Sequence, residues 1–129
     1  EVADRISAPV GTKDYGVLSV FVRSAFRVVR KVQVPASCFS PRPRVDSTVL
    51  VLEPLREKAV AKDAQFIELV HSAFAQRRNT LRNNWKKLAR SNLEQLAEMA
   101  NISLEARGET LSAEDFARAA EVFRTKGRG

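Results

Sequence analysis

Two stretches of this chain hold residue types that can do chemistry. The first, Phe39 to Val51, reads Phe-Ser-Pro-Arg-Pro-Arg-Val-Asp-Ser-Thr-Val-Leu-Val. Pro41 and Pro43 fix φ at both positions and remove two backbone donors. Each also pushes its predecessor, Ser40 and Arg42, toward extended geometry. The spacing predicts a stiff, extended loop with Phe39 at its entrance and Arg42 and Arg44 beside it. A rigid loop that holds an aromatic ring and positive charge at the end of a strand suits the grip of a nucleotide base. Taken alone, the same residues also fit a loop whose phenylalanine plugs the core.

The second stretch runs from Gln76 to Arg90. It holds six basic residues (Arg77, Arg78, Arg82, Lys86, Lys87, Arg90) and no acidic one. Arg82, Lys86 and Arg90 are four apart, which on a helix makes one ridge. At about 100° per residue that ridge lies across the helix from a Leu81/Trp85/Leu88 stripe. One face then packs while the other presents cations. A phosphate-binding face and a merely solvated face both fit this pattern. A further basic group comprises Arg23, Arg27, Arg30, Lys31, Arg42 and Arg44, offset in sequence by Asp46 alone. Two such groups bordering one cleft would form a positive trough for an RNA backbone, where the planar arginine fork suits phosphate oxygens.

Composition narrows the classes. The chain has 129 residues, 22 Lys+Arg against 15 Asp+Glu, and a net charge of +7. That charge points to an anionic partner, nucleic acid first. No stretch is long and apolar enough to span a membrane. The single cysteine, Cys38, forbids an internal disulfide and fits a reducing compartment. One cysteine with one histidine, His71, makes a poor zinc ligand set. His71 reads as a packing or hydrogen-bonded residue, Trp85 as core, and Cys38 as a small hydrophobe.

The elements that must position these residues follow from periodicity. Glu1 to Ile6 reads as the tail of a helix. Leu18, Phe21, Val22 and Ala25 predict a short helix over 16–25. From Phe26 to Val34 apolar residues alternate, predicting a strand with one buried face. A second strand is expected from Ser47 to Glu53, antiparallel to the first because no crossover helix separates them. Pro54 to Lys62 reads as a charged linker. Beyond Asp63 the pattern is helical throughout. Phe66, Val70 and Phe74 line one helix, and Leu93, Leu96, Ala97 and Ala100 another. Phe116, Ala119, Ala120 and Phe123 line the last. Ser91 with Glu94 and Ser112 with Asp115 fit capping boxes, and Leu111 can staple onto Phe116.

Three motifs carry a resemblance to a known family. Phe39-Ser40-Pro41-Arg42-Pro43-Arg44-Val45-Asp46-Ser47 resembles the Phe-x-Pro-x-Pro-x-Val-Asp-Ser signature of the small-subunit rRNA adenine N6-dimethyltransferases, the KsgA family. Phe74-Ala75-Gln76-Arg77-Arg78-Asn79-Thr80-Leu81 is similar to that family's Phe-x-x-Arg-Arg-Lys-x-Leu segment. Arg107-Gly108-Glu109-Thr110-Leu111-Ser112 is similar to its Arg-x-Glu-x-Leu-Ser lead into the final helix. The matches fall in the family's order and span most of the chain.

The resemblance implies an α/β portion followed by an all-α portion. Residues 1–55 would be the last antiparallel strands of a Rossmann-like methyltransferase sheet, 56–62 a linker, and 63–129 a small C-terminal helical rRNA-binding domain. It implies transfer of methyl groups from S-adenosylmethionine to N6 of two adjacent adenosines in a small-subunit rRNA hairpin, by a monomer in the bacterial cytoplasm or an organelle. Phe39 would stack on the target adenine, braced by Pro41 and Pro43, with Asp46 and Ser47 holding the loop. Arg77, Arg78 and Arg107 would contact rRNA, together with Arg42 and Arg44. Asn79 stands where the family carries lysine, and Arg82 and Lys86 would offset that lost cation. The five glycines form no strand-Gly-x-Gly-helix pattern, and no Asn-x-Pro-Tyr-type motif is present. The cofactor site is therefore expected upstream, and this chain alone is expected to be inactive. The absent initiator methionine agrees with a C-terminal portion. The competing readings are a stand-alone RNA- or ribosome-binding module, and a helix-turn-helix DNA binder built on 77–90, in which the Pro-rich loop would have no place.

Overall fold

The computed structural model describes residues 2–55, 63–89 and 92–126. The chain opens with helix α1 (Val2–Ser7), then α2 (Val17–Ala25), which runs directly into strand β1 (Phe26–Val34). A 3-10 turn at Ala36–Cys38 and the Pro-rich loop lead to β2 (Ser47–Pro54). Four helices follow: α3 (Ala64–Ala73), α4 (Leu81–Asn84), α5 (Leu93–Met99) and α6 (Ala113–Lys126). The linker expected over 56–62 and the capping serine expected at Ser91 lie outside the described residues. The N-cap of α5 is Asn92.

β1 and β2 pair antiparallel as expected, with Phe26 opposite Pro54 and Val34 opposite Ser47. β-branched residues populate both strands, as a pleated surface favours. The expected alternation shows in exposure, with Phe26, Val28, Val32 and Val34 half-buried and the residues between them exposed, though no strand residue is fully buried. The pairing is interrupted where Val28 opposes Leu52 while Arg30 opposes Val51, leaving Val29 as a bulge. An extra residue reverses which side the following side chains take. Val28, Leu50 and Leu52 therefore share one face, and Val32, Val49 and Val51 the other. Strand alternation in sequence cannot reveal such a phase change. The sheet packs on α1 and α2, and α2 in turn packs on α3 and α6.

The core is helical. Phe66, Leu69 and Val70 of α3, Leu81 and Trp85, Leu96 of α5, and Phe116 and Ala119 of α6 are fully or almost fully buried. Ala8, Tyr15 and Val20 join the same cluster from the N-terminal part. Trp85 meets Phe116 and Phe123 edge-on at 6.4 and 5.6 Å, and its indole N–H donates to the Leu69 carbonyl at 3.0 Å. This satisfies the polar tip of a buried tryptophan. Gly108 lies so close to the end of α3 that a Cβ there would stand 2.7 Å from the Ala73 carbonyl oxygen.

Side chains set the starts of α3 and α6. Asp63 accepts from the Gln65 N–H at 3.0 Å and caps α3. At α6 the expected capping box is complete: Ser112 N–H donates to Asp115 at 3.0 Å and Asp115 N–H donates to Ser112 Oγ at 3.1 Å. Each satisfies an otherwise orphaned donor.

Candidate nucleic-acid interface

The Pro-rich loop is closed at its base. Asp46 Oδ1 accepts the Ala36 N–H at 2.8 Å, joining the start of the 3-10 turn to the residue before β2. The Ser40–Pro41 peptide is cis. Phe39 ends the 3-10 turn, its N–H donating to the Ala36 carbonyl at 3.2 Å, and its side chain is 43% exposed. Arg42, Pro43 and Arg44 are exposed too, and neither arginine has a hydrogen-bond or ion-pair partner among the described residues. The loop thus presents an open ring and two unpaired cations at one end of the sheet. Cys38, read as a small hydrophobe, is exposed. The 3-10 turn buries Ala36 instead.

The basic stretch after Gln76 does not form the expected ridge. α4 has only four residues, and Trp85 to Ala89 are turn and bend. Helical spacing beyond Asn84 therefore has no meaning, and Arg90 lies outside the described residues. The physical cause lies in Asn83 and Asn84, poor helix formers, and in Trp85, which leaves the helix to bury its ring. The Asn84 side chain donates to the carbonyls of Ala73 at 3.0 Å and Gln76 at 3.1 Å, binding α4 to the turn before it.

The individual cations differ sharply. Arg82 is tied to Glu94 at 2.9 Å and to Glu105 at 2.8 Å. Its hydrogen bonds to the Glu105 and then the Glu94 carboxylate raise its pKa above the usual arginine value. Glu94 and Glu105 are 12 and 23 residues away in sequence, so no local pattern forecast this. Arg77 directs Nη2 at three backbone carbonyls, those of Tyr15 at 2.6 Å, Lys13 at 2.7 Å and Thr12 at 3.3 Å. Arg78, Lys86 and Arg107 are exposed and have no side-chain partner among the described residues. Backbone bonds from Leu81 to Ala106 at 2.8 Å and from Arg82 to Leu104 at 2.9 Å lay the segment before Arg107 along the start of α4. Arg107 thus follows directly on a residue bonded to Leu81.

The other basic group is partly neutralised, beyond what Asp46 alone offers. Arg27 pairs with Glu53 at 3.0 Å and Lys31 with Asp4 at 3.1 Å. Arg23 donates to the Ala8 carbonyl and lies 5.7 Å from the Tyr15 ring centroid. His71 is exposed, and its ring packs 5.4 Å from that of Phe21. A cleft of about 670 Å³ opens here between α2 and α3, with Lys13, Asp14, Leu18, Phe21, His71 and Arg77 on its walls. Sequence reasoning missed this cleft, since its walls come from segments fifty or more residues apart.

Two solved structures share this fold over about half of their own length. A dimethyladenosine transferase from Plasmodium falciparum superposes with a TM-score of 0.78 at 23% identity, over 97% of this chain and 55% of that one. The 23S rRNA methyltransferase ErmE superposes at 0.55 with 25% identity, over 90% of this chain and 50% of that one. The profile described as ribosomal RNA adenine dimethylase matches residues 1–125, and the chain belongs to that family. The ribosomal RNA small subunit methyltransferase A of Shouchella clausii is 42% identical over 95% of this chain and 44% of its own length. That of Idiomarina loihiensis is 46% identical over 92% of this chain and 41% of its own length. The chain spans less than half the length of these relatives.

Proposed function

We propose that the protein dimethylates N6 of two adjacent adenosines in a small-subunit rRNA hairpin, with this chain supplying the base-stacking loop and an RNA-docking face. The exposed Phe39 ring, on a loop with two prolines and tied shut by Asp46, carries this reading. The adenine amine is a weak nucleophile because its lone pair is delocalised into the ring. Methylation therefore depends on extruding the base and holding it in register with the methyl donor. Stacking on one aromatic ring contributes about 1–3 kcal/mol toward that hold. Pro41 and Pro43 keep the ring in place, and Arg42 and Arg44 offer charge to the flanking phosphates. Arg78, Lys86 and Arg107, exposed and without a side-chain partner among the described residues, are the cations of the helical part that would meet the RNA backbone. Arg82 is engaged by two glutamates and acts through the structure it ties together.

The family's methyl donor is S-adenosylmethionine. The glycines among the described residues do not fit a cradle for it. Gly11 lies in a turn after α1 with positive φ, Gly16 stands against Arg77, and Gly108 is packed on Ala73. None of them joins a strand to a helix, so no residue here is assigned to the donor. The proposed division places the end of a methyltransferase domain at 1–55 and a helical RNA-binding domain at 63–129, in a cytoplasmic monomer. No helix among the described residues is long and apolar enough to cross a membrane.

In the intact protein, Phe39→Ala is expected to cut the methylation rate far more than RNA affinity. Rates and binding curves measured on the same hairpin check this. Equal loss of both would contradict the stacking role.

A further inference from the structure

We infer that Arg77 is a positioning residue: its guanidinium clasps residues 12–15 and so sets the sheet and its Phe39 loop relative to the helical part. Three neutral carbonyls converge on Nη2 within 3.3 Å, so these donors are committed to protein backbone. The guanidinium carbon also sits 5.8 Å from the Phe74 ring centroid, within reach of a cation–π attraction. Nη1 lies 3.6 Å from where a Cβ on Gly16 would stand, so the loop passes close to the fork.

The clasped segment is fixed on its other side as well. Gly11 N–H donates to the Glu109 carbonyl at 2.6 Å. Tyr15 is buried, its hydroxyl donates to the Leu111 carbonyl at 2.6 Å, and its ring meets Phe74 edge-on at 6.2 Å. Residues 11–15 thus cross the helical part as a strap held by Arg77, Phe74, Glu109 and Leu111. α2 begins at Val17, immediately after this strap, and continues into β1 without an intervening residue. A nine-residue helix transmits displacement instead of absorbing it. Any shift of the strap therefore moves the sheet, and with it the loop between β1 and β2 that carries Phe39.

Arginine suits this task and lysine does not. Nη2 shares its two hydrogens among the three carbonyls while the guanidinium carbon sits by the Phe74 ring; a lysine ammonium is a compact point charge on a flexible stem and cannot hold both contacts. The adjacent Arg78 makes the contrast: both arginines are exposed, but Arg77 spends its Nη2 donors on three backbone carbonyls while Arg78 has no side-chain partner among the described residues.

The inference borrows from the proposed rRNA methylation only its activity readout, and the first test avoids even that. In the intact protein, phenylglyoxal should modify Arg77 slowly with or without the rRNA hairpin, and Arg78 rapidly until RNA protects it. Arg77 reacting as fast as Arg78, with equal protection by RNA, would overturn the clasp. Second, Arg77→Lys should lower kcat by about tenfold or more, as a misplacement of about 1 Å can do. RNA affinity and its salt slope should stay unchanged, at a temperature where the variant remains folded by circular dichroism. Wild-type kcat in that variant would equally sink the idea. Arg78→Ala serves as the control and should reduce the salt slope by about one. An unchanged slope and no protection at Arg78 would count against the RNA face alone, while slow modification of Arg77 would still support the clasp.

Discussion

A single hydroxyl shows how this molecule uses polar groups. Tyr15 is buried, and desolvation pushes its pKa up to about 12, with Arg23 pulling the other way and Glu114 and Asp115 adding to the rise. The neutral form is favoured in the folded state. The stabilisation tied to it is complete below the ordinary value of 10.0 and is lost as pH rises toward 12. Tyr15→Phe removes the bond to Leu111 and leaves that carbonyl without its partner, at a cost of about 1–3 kcal/mol. Thermal melts should show this loss at pH 7. They should also show a variant whose stability falls less steeply than wild type between pH 10 and 12. A wild-type curve flat through that range would contradict the buried, neutral phenol. At the same scale, Arg77, Arg78 and Arg82 read alike in the sequence, as three basic residues near one another. Their partners separate them: three carbonyls, no described partner, and two glutamates. No local pattern distinguishes these fates, because each partner is remote along the chain.

At the scale of elements, the helix starts were the most legible features. Ser112 and Asp115 form their reciprocal box where spacing placed it, since capping needs only residues three apart. Burial of Asp115 raises its pKa, but hydrogen bonds from Ser112 and Arg118 outweigh this and hold it below the usual 3.8. The folded-state value is depressed, so the stabilisation is present above 3.8 and is lost as pH falls through the lower folded value. Ser112→Ala should cost about 1 kcal/mol of stability at neutral pH. Asp115→Asn should destabilise at pH 7 and converge with wild type in acid, as read by urea titrations at several pH values. A constant difference down to pH 2 would argue against an ionised cap. The helix after Thr80 was the least legible. Apolar spacing at Leu81, Trp85 and Leu88 continues past Asn84, yet the backbone does not. Trp85 satisfies its N–H on Leu69 and buries its ring whether or not a helix carries it, so the stripe survives while the cationic ridge does not. Likewise the Val29 bulge lies within an unbroken run of strand-forming residues.

At the scale of the whole molecule, the N-terminal strap and the last third of the chain meet around one junction. Gly11 bonds to Glu109, Tyr15 to Leu111, and Gly108 sits against the end of α3. Gly108→Ala would place a Cβ 2.7 Å from a backbone carbonyl oxygen, which cannot rotate away. The cost should be about 1–3 kcal/mol or more, and a Tm within a degree of wild type would show that the segment can yield. The net charge of +7 supplies long-range attraction for a polyanion. Pairing of Arg27, Lys31, Arg82 and Arg124 with carboxylates leaves a smaller set of open cations to determine where it docks.

The amino-acid sequence by itself determined the element order, the strand pairing, the core stripes of α3, α5 and α6, and the family. These depend on periodicity, turn residues and contiguous motifs, which are local. It determined the Pro-rich loop as well, since proline acts on its own φ and on its immediate neighbour. Only the tertiary structure decided which arginines are spent on the fold and which stay open. It alone revealed that Arg82 is locked by two glutamates, that α4 stops after one turn, and that Arg77 straps the N-terminal segment to the helices. The reason is physical: a charge or a donor takes whichever partner folding brings within about 3 Å, and sequence order carries no record of that distance.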